Sequence, residues 1–174
     1  MSIIQSDRHF VLESADSAYC FTIPEDGGLP VNIYWGAKGI ALQDYPDAEQ
    51  RQKQCYSPAL KERARTLFNE LPVFYGENMF ESALKITFPN GVRGADFVLE
   101  SQSVSDNEIR LFYREKYENI NLTLVYKIFC EGRIISRSIE IVNNTNAPVK
   151  LEKFASATWQ IPEQYAKRLT NMHG

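Results

Sequence analysis

Between Leu122 and Val142 the chain carries its most restrictive pattern. Leu122, Leu124, Tyr126, Ile128 and Cys130 alternate with Thr123, Val125, Lys127 and Phe129. After Glu131-Gly132, the run from Arg133 to Val142 places Ile135, Ile139 and Ile141 two or four residues apart. Successive side chains of a strand point to opposite faces, so a period of two marks a strand with one face turned to a core. Two such runs about a glycine-containing turn predict a β-hairpin.

The same punctuation recurs along the chain. His9 to Glu13, Ala18 to Ile23 and Leu29 to Trp35 have strand character. They are divided by Ser14-Ala15-Asp16-Ser17 and by Pro24-Glu25-Asp26-Gly27-Gly28. Proline presets φ and glycine permits positive φ, which is what a tight turn needs. Leu84 to Phe88, Ala95 to Ser101, Glu108 to Glu115 and Val149 to Ile161 add further strands. About nine or ten short strands at this spacing predict an all-β sandwich or barrel.

One stretch departs from this pattern. Gln43 to Gln54 is polar and has no period of either kind. Ser57-Pro58 then has the form of an N-cap followed by proline at the first helical position. Leu60, Ala64, Leu67 and Leu71 follow at helical spacing, so a short helical insertion ending at Pro72 is expected. A long connection of this kind is where function often resides.

Hydrophobic residues make up 44% of the 174 and charged residues 24%, which suits a chain that buries a core rather than a disordered tail. Nineteen Lys plus Arg stand against twenty-two Asp plus Glu, with no basic stripe, which argues against a nucleic-acid partner. No apolar run approaches the roughly 18 residues of a membrane span. The start, Met1 to Asp7, lacks the basic cap and apolar stretch of a signal peptide. Cys20, Cys55 and Cys130 are odd in number and widely scattered, which suits reduced thiols and a cytoplasmic location. His9 and His173 lie at opposite ends of the chain, and no Cys/His cluster has metal spacing. No metal and no other cofactor is therefore expected.

Nucleophilic catalysis needs a base near a serine or cysteine, and the two terminal histidines are poorly placed for it. No glycine-rich phosphate loop is present. Acid/base hydrolysis uses two carboxylates about 5–10 Å apart, but most acidic residues here sit in turns and are expected to be solvated. Glu70 is the partial exception, because Phe68-Asn69 and Leu71-Pro72-Val73-Phe74-Tyr75 flank it. As the end of a helix it is expected to face water. Aromatic residues cluster at Tyr34-Trp35, Phe74-Tyr75, Phe80 and Phe112-Tyr113. Rings of this kind fill sandwich cores and can also stack on sugar faces; the core role is favoured.

Six segments, in order, carry a family resemblance: Ile33-Tyr34-Trp35-Gly36; Leu71-Pro72-Val73-Phe74-Tyr75-Gly76 with Phe80; Leu122-Thr123-Leu124-Val125-Tyr126 through Ile134-Ile135-Ser136-Arg137-Ser138; Glu140 to Asn143; Leu151 to Pro162 with Ser156-Ala157; and Tyr165 to Gly174. Together they resemble the N-terminal domain of the glycoside hydrolase family 36 α-galactosidases. The resemblance implies a two-layer antiparallel β-supersandwich, like that of galactose mutarotase, over residues 1–162. Residues 163–174 would begin a linker toward a (β/α)₈ catalytic barrel. Such a barrel takes about 250 residues, so this chain has no room for it or for its two catalytic aspartates, and is expected to be inactive alone.

The same resemblance implies homo-oligomers in which a loop of this domain, roughly Asp44 to Phe74, reaches a neighbouring subunit's active site. Tyr56-Ser57-Pro58 resembles the family's "FSP", and Arg65-Thr66 its "DRT" in register. Lys53 stands near the place where an aspartate often precedes that motif. Arg65, Lys53 and Tyr56 are thus the implied substrate-contacting residues, acting in trans on an α-galactoside such as melibiose or raffinose. A guanidinium suits this role because its fixed fork of donors can hold hydroxyls. Two other functions are possible. One is a free-standing carbohydrate-binding module using the aromatic cluster. The other is a small aldose-epimerase-like enzyme, disfavoured by the placement of the histidines. Separation from a barrel would also expose apolar residues near Trp159, Ile161, Tyr165 and Leu169.

Overall fold

The computed structural model describes residues 2–39, 44–45, 69–74, 81–129 and 134–158. Ten strands follow one another: Ser2–Ser6 (β1), His9–Glu13 (β2), Ser17–Thr22 (β3), Val31–Ala37 (β4), Leu84–Thr87 (β5), Phe97–Val104 (β6), Glu108–Glu115 (β7), Ile120–Phe129 (β8), Ile134–Asn143 (β9) and Lys150–Phe154 (β10). They form two four-stranded antiparallel sheets, β1-β2-β3-β4 and β6-β7-β8-β9, and a two-stranded sheet of β5 and β10. This is the all-β sandwich that the alternation predicts.

The expected hairpin is present as β8 and β9, with Ile120 opposite Asn143 and Phe129 opposite Ile134. The turn expected at Glu131-Gly132 lies outside the described residues. On β8, Ile120, Leu122, Leu124, Tyr126 and Ile128 are all buried, so the period of two translates directly into one core face. That face packs with Ile109, Leu111 and Tyr113 of β7 against Phe10 and Leu12 of β2 and Tyr19 and Phe21 of β3. Phe10 and Phe21 stack within the first sheet at 5.0 Å, and Phe21 stacks on Tyr126 of the second at 4.4 Å, joining the layers.

The two large sheets treat their outer faces differently. That of the first sheet carries a second apolar cluster of Val11, Ala18, Cys20 and Ile33 with Tyr45. That of the second carries charge. Glu108 contacts Arg110 at 2.7 Å and Lys127 at 3.4 Å, and Arg110 reaches Glu140 at 3.5 Å. These residues face outward on β7, β8 and β9 and hold the strands in register at little cost in solvation.

Several expectations are corrected. The first residues form β1, a strand not anticipated in Ser2–Ser6, whose side chains are half-buried or exposed. It pairs with β2 across a tight turn in which Asp7 adopts φ 51°. Aspartate tolerates this left-handed conformation better than most residues. The last strand ends at Phe154 rather than running on toward Ile161. Asn69 to Leu71 are not helical, since Asn69 makes a β-bridge with Val31. The rest of the expected helix lies outside the described residues, as do Trp159, Ile161, Tyr165 and Leu169. No described helix is long and apolar enough to cross a membrane.

Candidate functional site

Segment 69–74 runs between β4 and β5 and is stitched to both. The Glu70 amide donates to the Pro30 carbonyl at 2.8 Å, and that of Phe74 to the Leu84 carbonyl at 2.9 Å. The Asn69 side-chain oxygen accepts from the Leu71 amide at 2.8 Å, an Asx turn. The turn carries both Glu70 and Leu71 into the interior.

There Glu70, only 1% exposed, meets side chains from three strands. Tyr19 of β3 donates its hydroxyl to Oε1. Tyr126 of β8 donates to Oε2 at 3.2 Å. Arg137 of β9 brings Nη1 within 2.7 Å of the same oxygen, and its Nη2 donates to the Glu70 carbonyl. The Arg137 side chain is 4% exposed, and its guanidinium lies over the Tyr126 ring, 5.5 Å from the centroid. Burial, and then the adjacent Glu70 charge, pushes both the Tyr19 and Tyr126 phenols far above the usual tyrosine range.

The expectation that Glu70 is a solvated helix-end carboxylate is therefore wrong. The chain here is a bridge and a turn, not a helix end, and the turn aims the carboxylate between the sheets. Burying one ion is costly, and it is tolerated here because a cation and two phenols surround it. A second buried carboxylate, Glu115, is solved differently. It accepts from the backbone amides of Asp96 at 3.1 Å and Tyr117 at 2.7 Å, and so shapes the β7–β8 turn.

Arg137 is not fully satisfied. Its Nε and Nη1 are buried with no hydrogen-bond acceptor among the described residues. The Nη1 contact with Glu70 is a contact of charges without the alignment of a hydrogen bond. A buried donor left in this state costs about 1–3 kcal/mol.

Both Arg137 and the tyrosine pair face a cavity of about 350 Å³. Ser14 and Ser17 line it from the β2–β3 turn, Trp35 from β4, Ile135 from β9, and Ser156 and Ala157 from the segment after β10. Trp35 stands opposite Tyr19 on neighbouring strands, and their rings meet edge to face at 6.2 Å. The indole remains 62% exposed. Behind it Tyr34 turns back and donates its hydroxyl to the Ala37 carbonyl at 2.8 Å. A β-carbon at Gly36 would lie 2.6 Å from that hydroxyl, so any larger residue there would displace the Tyr34 ring end.

The chemistry of the lining is specific. Among the described residues it offers serine and tyrosine hydroxyls, a guanidinium, an indole and two aliphatic groups, and no carboxylate. Both Glu70 oxygens are engaged by Tyr19, Tyr126 and Arg137. A two-carboxylate hydrolytic pair is not assembled at this cavity. Among the described residues no group of three or more His, Cys, Asp or Glu could hold a metal ion.

Arg65, Lys53 and Tyr56 lie outside the described residues, as do Tyr75 and Phe80. Of the aromatic residues singled out in sequence, Tyr113 is core as expected, whereas Trp35 is at the cavity and largely exposed. Arg137 escaped notice in sequence although a signal exists. It occupies the one inward position of the Ile135, Arg137, Ile139, Ile141 series that is not apolar. A cation on the core face of a strand demands a buried anion, and Glu70 lies in the largely apolar stretch Phe68 to Tyr75.

The two packed antiparallel sheets place the chain among two-layer β-sandwich domains. The sequence matches the glycosyl hydrolase family 36 N-terminal domain over residues 28–174, and the chain belongs to that family. Its fold is shared with three solved structures. The galactosidase domain of the α-galactosidase–sucrose kinase AgaSK aligns at TM-score 0.70 and 20% identity, over 90% of this chain and 25% of that one. The family 36 α-galactosidase AgaB from Geobacillus stearothermophilus aligns at 0.68 and 15%, over 90% and 24%. The α-galactosidase from Lactobacillus brevis aligns at 0.66 and 16%, over 86% and 23%. The chain thus spans about a quarter of the length of these structures. Comparison with curated proteins finds no match.

Proposed function

We propose that this chain is the non-catalytic N-terminal domain of a cytoplasmic α-galactosidase that hydrolyses terminal α-galactosides such as melibiose and raffinose. It works beside a C-terminal (β/α)₈ barrel, supports oligomer assembly, and lends Arg65, Lys53 and Tyr56 to the active site of a neighbouring subunit. The observation that carries this reading is the family match over residues 28–174.

The test is activity with and without the barrel. The purified 174-residue chain should release no galactose from melibiose above the buffer rate. Galactose release at an enzyme-like rate by this chain would overturn the proposal. Where a barrel-length extension follows residue 174, Arg65→Ala in the whole protein should raise KM for melibiose and leave its oligomeric state unchanged. An unaltered KM would remove the contribution in trans.

A further inference from the structure

The cavity between Trp35 and Arg137 combines features that no role in the core requires. Arg137 is locked by Glu70, yet Nε and Nη1 remain buried beside the cavity with no hydrogen-bond acceptor among the described residues. Trp35 holds an indole at the mouth, largely exposed, braced by the Tyr19 ring. The volume, about 350 Å³, falls in the range of small-molecule pockets.

From these features we propose that the cavity is a binding site for a small neutral polyhydroxylated molecule of monosaccharide size. The site is separate from the domain role proposed above: either can hold without the other. Three observations set the ligand class. First, the Glu70 carboxylate offsets the charge of Arg137, so the site offers donors without net attraction for an anion. Lys38 directs its Nζ to the Ser14 carbonyl at 3.4 Å. Second, the lining hydroxyls both donate and accept. Ser14 Oγ is taken up by Ser17, accepting from its amide at 2.9 Å, donating to its carbonyl at 3.1 Å and meeting its hydroxyl at 2.7 Å, which leaves the Ser17 Oγ lone pairs to accept from a ligand. A polyol hydroxyl donates to the Ser17 hydroxyl and lies beside Arg137 where that side chain lines the cavity. Third, Trp35, Ile135 and Ala157 form an apolar side. A sugar ring presents C–H groups to an aromatic face while its hydroxyls point away.

Titration calorimetry and saturation-transfer NMR on the chain test this, with D-galactose, myo-inositol and inorganic phosphate as probes. D-galactose or myo-inositol should bind saturably in the millimolar range, with transfer strongest at ring C–H protons, and phosphate should neither bind nor compete. Trp35→Ala should weaken binding about tenfold, the worth of one good aromatic contact, with an unchanged melting temperature because the indole is exposed. Ala157→Trp, which places an indole in the cavity, should abolish binding even if Trp35→Ala fails to fold. Absence of saturable binding by both neutral probes, displacement by phosphate, or binding untouched by Ala157→Trp would each overturn the proposal.

Discussion

Glu70 and Glu152 each meet an arginine, yet the two contacts belong to different physical regimes. Glu70 and Arg137 lie between the sheets, their side chains 1% and 4% exposed, with two phenols closing the shell. Glu152, on β10, is 21% exposed. It pairs with Arg93, itself 47% exposed, and lies 3.8 Å from Lys85, while Thr87 donates to it at 2.7 Å. Phe74 supports this outer cluster, with the Lys85 ammonium 4.6 Å from its ring centroid. Water solvates the outer charges whether or not they are paired, so the pairing changes little. In the interior nothing replaces a lost partner, so the pair either stands whole or becomes a liability. The interior pair also ties β3, β8 and β9 to segment 69–74, whereas the outer one fastens only the small sheet.

The sharpest way to break this comparison is to remove one interior partner. Arg137→Leu leaves the Glu70 charge buried and alone and should cost about 3–5 kcal/mol in urea denaturation. Adding Glu70→Met in the same chain should recover most of that loss, because both charges then disappear together. A double variant no better than the single one would show that the pair organises the fold beyond its charges. Tyr126→Phe deletes one hydrogen bond to Glu70 and should cost about 1 kcal/mol by the same measurement.

Alkali and acid should separate the regions. Burial and Glu70 hold the Tyr19 and Tyr126 phenols above their ordinary value of 10, and burial does the same for Tyr113. Above that pH the unfolded chain releases protons that the folded chain keeps, so stability is complete below it and falls as pH rises beyond it. Tyr126→Phe should flatten part of this slope in denaturation curves from about pH 8 to 11. Arg93, then Thr87, by hydrogen bonding, hold the Glu152 carboxyl below its ordinary value of 4.5. That contribution is present above 4.5 and is lost as pH falls through the lowered value. Glu152→Gln should therefore shift stability only slightly at neutral pH, with the difference vanishing in about 1 M salt, where screening acts over about 3 Å. A loss as large as that of Arg137→Leu would erase the distinction between the two clusters.

The smallest effect concerns Cys20, in the outer cluster of the first sheet. Burial, and then the Glu13 charge, pushes its thiol up to about 12. At pH 8 a maleimide should label Cys20 only at the rate of unfolding, as read by peptide mass spectrometry. Labelling as fast as in denaturant would show that this face is open.

Much of the fold was legible because burial on one face of a strand writes a period of two. Glu108–Glu115 is a strand with the same bounds that its pattern predicts, and β8 and β9 differ from expectation by a residue or two. β1 was not legible, because a half-buried edge strand needs no strict alternation and is recruited by pairing with β2. Glu70 was misplaced for a related reason. Leucines at helical spacing upstream suggested a helix end, whereas the Asn69 bridge to Val31 decides where the carboxylate points. Val31 lies 38 positions before Asn69 (69 − 31), so that bridge is not local in sequence. Trp35, in turn, was grouped with core aromatics, although its pattern is compatible with either face and its neighbours set its exposure.

From the amino-acid order alone came the strands, their inward residues, the turns between them and the family they resemble, since each rests on near neighbours and a repeating period. Tertiary packing decided that Glu70, Tyr19, Tyr126 and Arg137 share one buried cluster and that Trp35 opens onto a cavity beside it. Those residues come from segments up to 118 positions apart (137 − 19). Only the closure of two sheets over a low-dielectric interior brings them together and makes their charges depend on one another.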